Sequence, residues 1–167
     1  MNTRAAAHAL TLLLLPLASL PASAQTRTAL ALDEADIVAT FVDGNDRVVG
    51  YEFTVGPDPI RITGLGFYDR DRDGLQQAHP VAIYRASDAA EIGIDLVEGG
   101  TAAPLRGNFR WEANIPFNLD ANETYVIATL LEGNGDRWLW DPIAFGFGIA
   151  TENLTVDAAI SLSAHRR

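Results

Sequence analysis

Beyond residue 36 the chain alternates short runs rich in Val, Ile, Phe, Tyr and Thr with clusters of Gly, Pro, Asn and Asp, spaced roughly ten residues apart. Period-2 patterning with frequent turn residues is the signature of an all-β domain, and it predicts strands over 37–42, 48–55, 60–68, 81–85, 92–97, 109–115, 124–131, 143–149 and 154–162. The breaks between them are explicit. Asp43-Gly44-Asn45-Asp46, Gly56-Pro57-Asp58-Pro59, Asp73-Gly74, Gly99-Gly100 and Gly133-Asn134-Gly135-Asp136 all supply residues that turns favour.

Alternation is sharpest at Phe109, Trp111, Ala113 and Ile115 against Arg110, Glu112 and Asn114, which predicts a buried odd face and a wet even face. Ile60 and Ile62 stand against Arg61 and Thr63 in the same way. By contrast, 124–131 is apolar at nearly every position and reads as a central strand covered on both sides. About nine antiparallel strands with long crossings predict a single-domain β-sandwich of jelly-roll type. The longest helix the pattern allows is one turn, at Asp88–Glu91.

The N-terminal end has a different pattern. Arg4 precedes an apolar Ala/Leu stretch from Ala5 to Leu20, and Pro21-Ala22-Ser23-Ala24 follows before Gln25, the layout of a secretory signal with cleavage after Ala24. Pro16 interrupts the stretch, which falls short of the roughly 20 apolar residues of a spanning helix. The expected organisation is therefore a signal peptide over 1–24, a small polar leader over 25–36, the sandwich over 37–163 and a tail over 164–167. The expected product is secreted or periplasmic, with no membrane insertion after cleavage.

Composition then narrows the chemistry. The 167 residues hold 12 basic and 22 acidic side chains, a formal charge of −10, and every basic residue is Arg. Such a balance argues against nucleic acid and anionic lipid as partners. Cysteine is absent, and a domain of this size closes a core without disulfides. With no Cys or Lys, and only His79 and His165 beyond the signal, thiol, Schiff-base and three-histidine zinc chemistry are excluded. The serines that remain, Ser87, Ser161 and Ser163, lie in no Gly-x-Ser-x-Gly elbow. The expectation is a non-enzymatic protein. Acid pairs are plentiful, so a carbohydrate-active enzyme with two carboxylates across a cleft ranks last among the readings.

Two constellations are candidate sites. Asp69-Arg70-Asp71-Arg72-Asp73-Gly74 opens like a calcium loop, with alternate carboxylates and a Gly at the sixth position for the tight turn, which makes Asp69, Asp71 and Asp73 candidate Ca2+ ligands. The twelfth position is Pro80 rather than a bidentate Glu, and Asp73-Gly74 is equally a plain turn whose carboxylates bond backbone amides. His79 stands where its imidazole would bond that turn. The second set is aromatic: Trp138, Trp140 and Tyr84, with Trp111 and Tyr68, are candidates for stacking on a sugar, against the plainer role of core and rim packing.

The order of Gly50-Tyr51-Glu52-Phe53-Thr54-Val55, Ile60–Tyr68 with Asp69, Asp73-Gly74-Leu75, His79 and Val81–Tyr84 is distinctive. Phe109-Arg110-Trp111, Pro116–Leu119 before Asp120-Ala121, Thr124–Ala128 and Asp141-Pro142 continue it. Over 48–142 the chain resembles a domain of unknown function found in exported, PEP-CTERM-associated bacterial proteins. The resemblance implies a secreted β-sandwich and carries no catalytic residues. The chain departs from that pattern at Asp71, where a small residue is expected, and it lacks the Pro-Glu-Pro, apolar helix and basic tail of the sorting signal. Together these readings predict a binding module whose partner is a polysaccharide or cell-surface protein. The alternative is a self-associating structural protein of the envelope or biofilm matrix.

Overall fold

The strands drawn from the pattern at 60–68 and 124–131 form with those bounds, as β4 (Ile60–Tyr68) and β9 (Thr124–Leu131). The structure is a computed structural model describing residues 30–31, 40–41, 46–133, 135–136, 138–139, 148–149 and 154–163. Around β4 and β9 the long strands are β3 (Arg47–Val55), β5 (His79–Arg85), β6 (Glu91–Val97), β8 (Phe109–Leu119) and β12 (Leu154–Ser163). Two-residue strands complete the set: β1 (Leu30–Ala31), β2 (Thr40–Phe41), β7 (Leu105–Arg106), β10 (Trp138–Leu139) and β11 (Gly148–Ile149). No helix occurs among the described residues. Where one helical turn was expected at Asp88–Glu91, residues 86–88 form a turn and β6 begins at Glu91. The signal, most of the leader and the stretch 143–147 lie outside the described residues, while Leu30–Ala31 of the expected leader pairs with β11.

All pairings are antiparallel. One sheet runs β12-β3-β9-β5-β6, a second runs β4-β8-β7, and β1 with β11 and β2 with β10 make short ribbons. The two larger sheets pack as a β-sandwich. The β4–β8 pairing is nested in sequence inside the β3–β9 pairing, and each pair belongs to a different sheet. Between the sheets lie Val49, Phe53 and Val55 of β3, Val81 and Ile83 of β5, and Tyr125 and Leu131 of β9. Leu65 and Phe67 of β4 and Leu119 of β8 meet them from the other side. β9 is the middle strand of five, with its inner face in this core, Ala128 on the other face also buried, and Val126 and Leu130 half-buried. That accounts for its near-continuous apolar run.

On β8 the wet-even expectation is overturned. Arg110 is 5% exposed while Ala113 is exposed. Arg110 lies opposite Phe67 across the ladder and so shares the core-facing side. After a register shift around residues 114–116, Phe117 and Leu119 take over the apolar contribution. Phe117 lies so close to Gly93 of β6 that a Cβ there would meet its ring, which is why β6 carries glycine at this crossing.

Candidate functional site

The chain leaves β4 at Tyr68 and runs through residues 69–78 before β5. Asp69 is buried, so its carboxylate is costly unless its charge is matched, and the match comes from inside the sandwich. Arg110 Nε donates to Asp69 Oδ2 at 2.7 Å, with both side chains nearly excluded from water. The same guanidinium donates to the carbonyls of Arg72 (3.0 Å) and Ala103 (3.2 Å). Asp69 Oδ2 also accepts the Gly74 N–H at 3.2 Å. Arg72 Nε reaches Asn108 Oδ1 at 2.7 Å, and the Asp69 N–H donates to the Asn108 carbonyl at 2.7 Å. Closing the turn requires φ of +59° at Arg72 and +114° at Gly74. A Cβ on Gly74 would press on the backbone of Gly100, so glycine is needed there on both counts.

Beyond Leu75, which exchanges backbone hydrogen bonds with Gly100, a second anchor takes over. Asp136 accepts the N–H groups of Gln76 (2.9 and 3.0 Å) and Gln77 (3.2 Å). It also accepts His79 Nε2–H at 2.9 Å. His79 is 1% exposed and stacks face to face on Phe67, with ring centroids 3.8 Å apart. The sequence placed the His79 hydrogen bond on the 69–73 turn. In the structure it goes to Asp136, because the buried side chain at the first residue of β5 lies 2.9 Å from that carboxylate.

These anchors frame an open hollow of about 430 Å³, lined by Tyr68, Asp71, Asp73, Gln76 and the backbones of Gly74, Gly100 and Gly135. Asp69 and Asp136 lie in its wall, and Arg70 at its edge. The candidate ligands Asp69, Asp71 and Asp73 are thus brought to one place, but with unequal roles. Asp69 is committed to Arg110 and the turn, whereas Asp71 and Asp73 are exposed. Among the described residues no group of three or more His, Asp or Glu side chains is arranged to hold a metal ion. The interleaved arginines and the buried Asp69–Arg110 pair give the physical reason.

Of the aromatic candidates, Tyr68 lines this hollow, whereas Tyr84 and Trp111 lie elsewhere. Tyr84 lies on β5, paired with Val126 and Glu91. Trp138 contributes backbone pairing with Phe41, and Trp140 lies outside the described residues. Trp111 packs over Gly64, with the Arg106 guanidinium 3.9 Å from its ring centroid. Sequence reasoning missed Arg110, Asn108, Gln76 and Asp136. Arg110 was masked by its place in an alternating strand, and Asp136 by its distance along the chain from the loop it anchors. No family model matches the chain, and no curated protein or solved structure is significantly similar to it.

Proposed function

We propose that the chain is an exported, non-enzymatic β-sandwich module that binds a neutral or amino-sugar polysaccharide in the hollow between residues 68–76 and Gly135–Asp136. One observation carries the reading. A polar hollow of about 430 Å³ falls in the size range of small-ligand sites, and its exposed carboxylates Asp71 and Asp73, the Gln76 amide and glycine backbones offer the hydrogen-bonding groups that sugar hydroxyls need. The charge of −10 favours neutral or cationic sugars over acidic ones. A non-enzymatic role is supported by the two buried carboxylates, Asp69 and Asp136, being taken up by Arg110 and His79. The N-terminal signal pattern and the resemblance of 48–142 to the PEP-CTERM-associated domain support secretion or a periplasmic location, with the signal removed after Ala24.

Binding of the chain from Gln25 to a glycan array and to the producer's own exopolysaccharide tests the reading. The expected result is retention that Asp71→Asn/Asp73→Asn reduces about tenfold or more, with the melting midpoint unchanged. Silence on the array together with no retention on the exopolysaccharide overturns it.

A second reading, self-association in an envelope or matrix layer, is favoured by β6. It is an edge strand of the five-stranded sheet with Ile94 and Leu96 about half exposed, and such edges pair readily with other chains. Sedimentation at high concentration would show an oligomer that Ile94→Lys disperses. A strict monomer removes this reading.

A further inference from the structure

We propose that the sandwich carries a second ligand site, between its sheets, for a small amphiphile: an apolar chain or ring of about six carbons with an anionic end. Its main cavity shares no lining residue with the polysaccharide hollow, and Tyr68 borders both that hollow and a smaller adjoining space. A half-open cavity of about 150 Å³ is lined by Tyr51 and Ile127 of the five-stranded sheet and by Ile62 and Leu119 of the other, with Trp111 and Arg106 also in its lining. Apolar voids of about this size in other proteins stay dry and accept a benzene-sized guest, which sets the length of the apolar part.

Charge sets the other end. Arg106, on the two-residue strand β7, is exposed and makes a cation–π contact with Trp111 but no hydrogen bond or ion pair among the described residues. An unpaired guanidinium beside an apolar cavity, in a chain of net charge −10, is the local complement of a carboxylate or sulfate head. A smaller adjoining space of about 80 Å³ shares Tyr51 and Ile127 and reaches Thr129. The Thr129 hydroxyl is buried there without a hydrogen-bond partner among the described residues. Buried polar groups in that state are uncommon and point to a bound molecule or water. The site thus has an apolar middle, a polar end at Thr129 and a cationic end at Arg106.

Hexanoate, hexylamine and hexanol serve as probes for calorimetry and thermal melts of the chain from Gln25. The expected result is saturable binding of hexanoate with a raised melting midpoint, weaker binding of hexanol and none of hexylamine. Arg106→Gln, at an exposed position, should weaken hexanoate about tenfold without moving the ligand-free midpoint. Ile62→Phe should abolish binding by filling the cavity. The proposal is overturned if the unaltered protein binds no hexanoate, or if it binds hexanoate and hexylamine alike. Equal hexanoate affinity in Arg106→Gln also overturns it. A raised midpoint of Ile62→Phe combined with no hexanoate binding by the unaltered protein would identify the cavity as a packing gap.

Discussion

Arg110 stands among residues that alternation assigns to solvent, yet its guanidinium holds Asp69 and the carbonyls of Arg72 and Ala103 together inside the sandwich. Removing one member of a buried pair strands the other's charge. Arg110→Ala should therefore lower stability by about 3–5 kcal/mol in urea unfolding. Arg110→Lys should restore only part of it, since one ammonium cannot reach three acceptors in a plane. Tyr51 gives a residue-scale prediction of opposite electrostatic origin. Burial pushes its phenol up to about 12 from the ordinary 10, so above pH 10 the unfolded chain releases this proton first and the folded state loses stability until about pH 12. The loss approaches roughly 3 kcal/mol, and Tyr51→Phe should flatten the alkaline limb of a pH–stability curve. At this scale the sequence was only half legible. The Asp-rich loop and its turn glycine were visible as letters, but which carboxylate is consumed by the scaffold depends on Arg110, 41 positions along the chain from Asp69.

Strands were far more legible than side-chain roles, because a two-residue period is local while a partner's identity is not. β4 and β9 formed with the bounds their patterns predict, and β3, β5, β6 and β12 began or ended within two residues of expectation. The exceptions have physical causes. β8 runs on to Leu119 past Pro116, where the sequence suggested an end, because the proline falls in the register shift and owes no ladder hydrogen bond there. Two-residue strands such as β7 show no period at all. The link from β5 to β6 also turns on side chains: Asp88 accepts the Ala90 N–H at 3.0 Å and Arg85 Nη1 at 3.1 Å. The Ala90 hydrogen bond, and then Arg85, hold its carboxyl below the ordinary range. The stabilisation is present above the ordinary carboxylate pKa and fades as pH falls through the lowered folded-state value. Asp88→Asn should therefore reduce stability at neutral pH and make the acid limb shallower, as read by melts across pH 2–6.

For the whole molecule, fold class and the breaks at 56–59, 73–74 and 99–100 followed from pattern, whereas the two-sheet strand order with β9 at its centre required long-range pairing that no local window contains. The candidate metal site shows the same limit: three aspartates with calcium-loop spacing converge on one hollow, and the scaffold claims one of them. Melts of the chain from Gln25 in millimolar calcium and in chelator should accordingly coincide. A calcium-dependent rise that Asp73→Asn abolishes would show that Asp71 and Asp73 capture the ion without Asp69.

The arrangement around Arg110 has a consequence for how such a domain diversifies. The contacts that shape the loop end are made by Asp69, Arg110, His79 and Asp136, whereas the groups facing outward into the hollow are Asp71, Asp73 and Gln76. Because the two sets do not overlap, substitutions in the outward set leave the geometry of the opening intact. The outward set can drift toward a new partner at small cost in stability, and relatives sharing the inner four residues should present the same mouth with different specificities.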